Sequence, residues 1–168
     1  ILRAVTELGL GVAIVQAQDI SREEIDSLFW LSLLISGGIY LLLLLSAPLV
    51  GAFYEQPQIS LLLQVYGLSG VVFSFYFVPK HLLTKEMAFG RIVFAENASL
   101  LASGLGMVAL AWFGFGAWSV ILGELGNRVG RLVLFHVFRP YWPNWQFDWA
   151  AIKPRVSFGL YATGSRLL

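Results

Sequence analysis

Three charged side chains lie inside a mostly apolar stretch, residues 117–138. Glu124, Arg128 and Arg131 follow one another at intervals of four and three residues, so a helix would carry all three on one face. A glutamate four residues before an arginine is the favourable order for an ion pair, and a guanidinium binds phosphate through a planar fork of N–H donors. Because charges that face lipid are costly, we expect this face to line a bundle interior or a watery cavity.

Two interpretations of the arginines remain open from the sequence. Arg128 lies nearer the middle of the stretch and is expected to line the cavity, although a purely structural pair with Glu124 satisfies the same pattern. Arg131 lies nearer the end of the stretch, where its long side chain either binds an anionic group or extends to the lipid headgroups.

Glu96 is a further charge within an apolar stretch, residues 89–113. If this stretch and the next form a helical hairpin, Glu96 lies about one turn from the level of Arg131, and we predict that the two pair. The alternative is a carboxylate that binds a proton or a cation. Arg3 and Glu7 are one helical turn apart near the start of the chain and form a third candidate pair.

The amino-acid composition indicates what surrounds these charges. Of the 168 residues, 58% are hydrophobic and only 12% are charged, whereas soluble domains carry roughly 25% charged residues. So small a charged fraction is not enough to cover a hydrophobic core in water. The outer surface is therefore expected to face lipid.

The long apolar stretches predict an all-α, polytopic transmembrane helix bundle over residues 1–138. A spanning helix needs about 20 mostly apolar residues. We expect the second full span to stop at Pro79, because proline disrupts a helix. The predicted elements are a partial helix at 1–15, full spans at about 28–53, 59–78, 89–113 and 117–138, and the start of another helix at 156–168.

Loop charge predicts an orientation for these spans. Lysine and arginine occur in the loops 16–27, 79–91 and 139–155, which lie on one side of the predicted bundle. The connections on the other side, 53–58 and 113–116, contain neither residue. Since basic loops face the cytoplasm, we predict that the three basic loops are cytoplasmic.

The last of these loops has the composition of an interfacial linker. Tryptophan favours the headgroup level of a membrane, and an aromatic or sugar-binding site is the alternative interpretation. Asp148 is predicted to cap a short helix that Pro154 ends, and Ser21 with Glu24 forms a capping box before the first full span. The predicted interfacial anchors are Trp142, Trp145 and Trp149.

Several classes of site are not expected. The chain has no cysteine, which excludes disulfides and cysteine-based metal sites. His81 and His136 are isolated and not spaced as a metal pair, so we predict no metal site and no cofactor. A net charge of +1 gives no indication of nucleic-acid binding.

Five ordered segments resemble one family over nearly the whole chain. The order and spacing of these segments are similar to those of the Wzx-type polysaccharide flippases of the MATE-like (MOP) superfamily. The segments are LGLGVAIVQ at 8–16, APLVGAFYEQPQI at 47–59, VPKHLLTKEMAFGRI at 78–92, FGFGAWSVILGELGNRVGRLVLF at 113–135 and FDWAAIKPRVSFGLYATGSRLL at 147–168.

The resemblance implies a larger parent with two pseudo-symmetric bundles. This chain would run from the end of the second helix to the start of the seventh, so it would be a fragment containing most of the N-terminal bundle. The family moves undecaprenyl-pyrophosphate-linked oligosaccharides across the bacterial inner membrane for exopolysaccharide, capsule or lipopolysaccharide synthesis. By this resemblance, Arg128 or Arg131 attracts the pyrophosphate, Glu96 is a candidate for ion coupling, and Glu7 lies near the cytoplasmic mouth.

The resemblance also implies partners and leaves alternatives. The expected partners are the lipid-linked oligosaccharide, membrane lipids and the polysaccharide polymerase machinery, and the expected activity is transport rather than enzymatic catalysis. A multidrug exporter of the same fold is the first alternative, and a membrane-embedded enzyme of polysaccharide synthesis is the second.

Overall fold

The computed structural model describes residues 11–16, 20–154 and 156, and this part of the chain is helical apart from turns and one linker. The all-α prediction is confirmed for these residues. Within these described ranges, three helices, α2, α3 and α4, are long and apolar enough to cross a membrane. The helices are α1 (Gly11–Gln16), α2 (Arg22–Phe53), α3 (Pro57–Lys85), α4 (Phe89–Trp112) and α5 (Ala117–Phe138).

Helix α2 begins well before the apolar stretch that predicted it, because a capping box starts it. The Ser21 hydroxyl accepts a hydrogen bond from the Glu24 amide at 3.2 Å, and the Glu24 carboxylate accepts one from the Ser21 amide at 2.9 Å. The capping-box prediction is confirmed. Part of the predicted loop 16–27 is therefore the first turns of a helix.

The prediction that the second span stops at Pro79 is wrong. Helix α3 continues through Pro79 to Lys85, so much of the predicted loop 79–91 is helical. A proline removes one backbone donor, but ending the helix inside an apolar bundle would leave many more backbone groups without partners. The correction matters for Lys80, which becomes a bundle residue rather than a loop cation.

Helix α3 is the centre of the bundle and contacts each of the other four described helices. Its aromatic residues Tyr76 and Phe77 are buried among Phe29 of α2 and Phe135 of α5. A seam of serines joins α2 to α3: the Ser74 hydroxyl donates to the Ser36 hydroxyl at 2.9 Å. Small hydroxyl residues of this kind let membrane helices approach closely.

Aliphatic side chains cover the outside of the bundle. They are largely exposed along α2 and α4, which have few neighbours on those faces among the described residues. An exposed leucine surface of this extent is suited to lipid rather than water. The outward leucines are Leu41, Leu42, Leu45 and Leu49 on α2 and Leu100, Leu101 and Leu105 on α4.

Helices α4 and α5 form a tight hairpin. Gly114 and Gly116 in its turn have φ values of +83° and +54°, which glycine adopts without strain. Along the hairpin, α5 supplies the space for close contact: Gly123 lies against Met107. Gly104 of α4, by contrast, has open space beside it, since a Cβ there would meet nothing within 4 Å.

Replacing Gly123 by Ala is expected to destabilise the protein by about 1–3 kcal/mol, the usual cost of overpacking. The new Cβ would lie 2.0 Å from Met107 Cγ. Gly126→Ala on the same helix is the matched control, since a Cβ there meets nothing within 4 Å. Thermal unfolding in mild detergent measures the stability of both variants.

Adding Met107→Ala to Gly123→Ala should restore much of the lost stability, because it removes the side chain that the new Cβ meets. Equal melting temperatures for Gly123→Ala and Gly126→Ala would contradict this account of the hairpin.

Candidate functional site

A cluster of charged and polar side chains crosses the bundle where α3, α4 and α5 meet. We call it the charged cluster. It comprises Tyr76 and Lys80 of α3, Glu96 of α4, and Glu124, Asn127, Arg128 and Arg131 of α5. The three charges that the sequence placed on one face of α5 are thus joined by groups from two other helices.

Arg128 is the most enclosed cation of the charged cluster, with 8% of the residue exposed. Its Nε and Nη2 atoms each lie 3.0 Å from Glu124 Oε1, and its Nη1 donates to the Tyr76 hydroxyl at 3.0 Å. The Tyr76 ring stacks on Phe135 with centroids 5.7 Å apart, which fixes the hydroxyl in place. Of the two interpretations of Arg128, this geometry favours the structural pair.

Arg131 is held more loosely than Arg128. Its Nη1 lies 3.7 Å from Glu96 Oε1, so the predicted pair of Glu96 and Arg131 is present. Its Nε donates to the Asn127 side chain at 3.2 Å. The Arg131 side chain is 22% exposed, against 10% for Arg128, and it is the better placed of the two to meet a ligand.

Lys80 is the nearer partner of Glu96. Its Nζ lies 2.9 Å from Glu96 Oε1, the same oxygen that Arg131 approaches. One carboxylate is therefore shared by two cations, and, counted over the part of the chain that the structure describes, the charged cluster has three cations and two carboxylates. Since charges interact more strongly away from bulk water, the unbalanced positive charge can attract an anion such as a phosphate.

A second polar site fixes the linker after α5. We call residues 139–148 the strap. The Asp26 carboxylate of α2 is fully buried and accepts hydrogen bonds from the Tyr141 hydroxyl and, at 3.0 Å, from the Asn144 side chain. At the far end of the strap, the Asp148 amide donates to the Ser27 hydroxyl at 2.9 Å. These hydrogen bonds hold the strap against the first turns of α2.

The tryptophans of the linker are exposed, with Trp142 at 76%, Trp145 at 90% and Trp149 at 49%. Trp145 packs on Trp30 of α2 with ring centroids 4.8 Å apart, and the Trp30 indole donates to the Asn144 carbonyl at 2.9 Å. Large exposed indoles beside a helix end fit the headgroup level. That these residues anchor the linker in the interface stays a prediction.

The short helix predicted after Asp148 is present. The Asp148 carboxylate accepts from the Ala150 and Ala151 amides at 2.8 and 3.2 Å, as an N-cap should. Residues 149–154 are helical, and the predicted end of this helix at Pro154 falls at the edge of the described residues.

The three predicted basic loops meet at one end of the bundle. Arg139 after α5 donates to Glu86 after α3 at 2.9 Å, and the strap contacts the start of α2. The arrangement places these segments on one side, as the loop charges predicted. Arg3 and Glu7 lie outside the described residues.

Several residues of these sites were missed by sequence reasoning. Asp26 is the last charge before a long charge-free stretch, so it looks like a loop residue, and its partners lie more than a hundred positions away. Lys80 was missed because Pro79 was taken as the end of a helix. Tyr76 and Asn127 gave no distinctive signal, although both are polar groups within apolar stretches.

Replacing Asp26 by Ala is expected to cost about 1–3 kcal/mol, because it leaves the buried Tyr141 hydroxyl without its acceptor and removes a partner of the Asn144 side chain. Thermal unfolding and limited proteolysis within the strap provide the measurements. Glu23→Ala, an exposed acid in the same helical turn, is the control and should have little effect. A strap as protease-resistant in Asp26→Ala as in Glu23→Ala would contradict its fastening by Asp26.

Tyr141 should make the stability of the protein fall at high pH. Burial, reinforced by the hydrogen bond to Asp26, raises the pKa of the Tyr141 hydroxyl above its usual range. A raised pKa contributes stability that is fully present below the unfolded pKa of about 10 and is lost as the pH rises beyond it. The stability difference between wild type and Tyr141→Phe should therefore shrink from about pH 8 to about pH 11; a constant difference would contradict this.

Comparison with known proteins places the chain among related sequences. The profile of a family described as "Polysaccharide biosynthesis protein" matches residues 1–168. The chain is 28% identical over 165 residues to the lipopolysaccharide biosynthesis protein WzxC of Escherichia coli (strain K12), and 25% identical over 167 residues to the teichuronic acid biosynthesis protein TuaB of Bacillus subtilis (strain 168). It is 26% identical over 159 residues to the amylovoran biosynthesis protein AmsL of Erwinia amylovora.

These matches cover nearly all of the chain but only part of each relative. They include 97%, 98% and 92% of the chain, and 34%, 34% and 41% of WzxC, TuaB and AmsL respectively. The chain thus spans about a third of the length of the first two relatives. No solved structure matches it.

Proposed function

Because the chain belongs to the polysaccharide biosynthesis protein family, we propose that it forms part of a flippase for lipid-linked oligosaccharides. The proposed substrates carry undecaprenyl pyrophosphate and cross the bacterial inner membrane to supply exopolysaccharide, capsule or lipopolysaccharide synthesis. The protein acts on them as a transporter, together with membrane lipids and the polymerase machinery. The observation that carries the proposal is the charged cluster inside a bundle whose outer surface is apolar.

The charges of the cluster suit a pyrophosphate. Lys80 and Arg131 share the carboxylate of Glu96, so neither cation is fully neutralised. A guanidinium offers several N–H donors to phosphate oxygens, and an ammonium adds a point charge. An entering pyrophosphate replaces Glu96 as the acceptor for the donors of Lys80 and Arg131. When the pyrophosphate leaves, both cations pair with Glu96 again.

Arg128 has a different role in this proposal. Three of its five N–H donors are engaged by Glu124 and Tyr76, so it joins α5 to α3 and helps to fix the position of Arg131 on the same helix. Helix α5, which carries three charges in its central turns, is proposed as the fourth membrane-spanning helix, with these charges facing inward.

The proposed orientation follows from the basic segments at one end. Arg22, Lys85, Arg139 and Lys153 lie on the side of the bundle that carries the strap. That side faces the cytoplasm by the positive-inside rule, with the exposed tryptophans at the headgroup level. The substrate then enters the bundle from the side on which lipid-linked oligosaccharides are assembled.

The test uses the complete reading frame in a strain whose own flippase gene is deleted. Arg131→Gln should lower surface polysaccharide about tenfold or more, since hydrogen bonds to charged groups contribute about 1.5–3 kcal/mol each. The lipid-linked oligosaccharide should accumulate at the same time. Arg91→Gln, which removes an exposed cation on the same side of the bundle, is the control and should have little effect.

The measured products separate this function from its alternatives. Normal surface polysaccharide in Arg131→Gln at equal protein level would contradict the proposed role of the charged cluster. Loss of the oligosaccharide itself, rather than its accumulation, would indicate an enzyme of synthesis. Altered drug sensitivity without any polysaccharide defect would indicate a multidrug exporter.

A further inference from the structure

A cavity of about 340 Å³ lies beside the strap, at the end of the bundle where α2 begins and α3 and α5 end. It is separate from the charged cluster, since none of the lining residues belongs to that cluster. Part of its wall is aliphatic and part is cationic. The lining includes the aliphatic side chains of Ile20, Ile25 and Leu82, the guanidinium groups of Arg22 and Arg139, and the indole of Trp142.

Two guanidinium groups line this cavity. Arg22 is exposed in the first turn of α2, and it lies close enough to Tyr141 for its charge to oppose the rise in the pKa of that hydroxyl. Arg139 donates through Nε to Glu86, while the guanidinium carries further N–H donors on its Nη atoms. Two arginines around one cavity are a donor set that suits a phosphate group.

The rest of the wall suits the apolar part of an amphiphile. Ile20, Ile25 and Leu82 offer aliphatic surface next to the two cations. Trp142 lines the same cavity and is largely exposed, in the manner of residues at the headgroup level of a bilayer. A free phosphate ion would use the cations and leave this apolar surface without a partner.

We propose that the cavity binds the headgroup phosphate and glycerol region of an anionic phospholipid, held by Arg22 and Arg139. The bound lipid fills the space between the strap and the adjoining ends of α2, α3 and α5. This site goes beyond the proposed flippase function and does not depend on which substrate is moved. It depends on the end of the bundle that carries the strap lying at a membrane surface.

The charges around the cavity predict that one set of substitutions weakens lipid binding and another strengthens it. Glu86 competes with the lipid phosphate for Arg139. Removing the two arginines should weaken lipid binding, and removing the competing carboxylate should strengthen it. A purely structural role for the pair of Glu86 and Arg139 does not predict any strengthening.

The experiment is native mass spectrometry of the intact protein in mild detergent, titrated with phosphatidylglycerol. Arg22→Gln/Arg139→Gln should bind this lipid about tenfold more weakly than wild type or worse, and Glu86→Gln should bind it a few-fold more tightly. Arg91→Gln/Lys153→Gln removes the same charge from exposed positions outside the cavity and should bind like wild type.

Three probes distinguish the ligand. Phosphatidylglycerol should bind, whereas phosphatidylcholine and glycerol 3-phosphate at equal concentration should bind much more weakly. Equal binding of phosphatidylcholine would overturn recognition of a net negative headgroup, and equal binding of glycerol 3-phosphate would overturn the contribution of the apolar wall. Equal weakening in the Arg91/Lys153 control would reduce the effect to non-specific charge and overturn the site.

Thermal unfolding shows whether each variant is folded. If the double arginine variant does not fold, Arg22→Gln alone and Glu86→Gln alone decide the question, because they predict changes of opposite sign in lipid affinity. Unchanged affinity in both would overturn the proposal.

Discussion

A charge removed from water must be paired, and this constraint determines how the helices of the bundle are arranged. Five ionised side chains lie among apolar residues where α3, α4 and α5 meet, and each contacts an opposite charge. Breaking a buried pair by removing one partner is far more costly than losing an exposed one. The pairs of Glu96 with Lys80 and Arg131, and the hydrogen bond from Arg128 to Tyr76, therefore help to specify which faces of the three helices meet. This matters in a setting where apolar side chains are as well solvated by lipid as by one another.

Features set by neighbouring residues could be predicted from the sequence. The bounds of α5, the capping box at Ser21 and the N-cap at Asp148 depend on residues within a few positions of one another. The pair of Glu96 and Arg131 was also accessible, because a short hairpin turn fixes the relative height of the two helices. In each case local geometry alone decides which groups meet.

Features set by distant contacts could not be predicted in the same way. The pairing of Asp26 with Tyr141 joins residues that are 115 positions apart, and no spacing rule connects them. The path of α3 through Pro79 was wrongly predicted for a related reason. Proline is unfavourable locally, but the packing of a whole helix outweighs the loss of one hydrogen bond.

The attachment of the strap to α2 has a mechanical consequence. A linker attached only to the end of α5 would be flexible, and a movement of α2 would not be transmitted to the helix that follows the linker. This linker is bonded at Tyr141, Asn144 and Asp148 to one helix and at Arg139 to the end of another. The strap therefore holds the start of the next helix, which Asp148 caps, against the first turns of α2, so a rotation of α2 should carry that helix start with it.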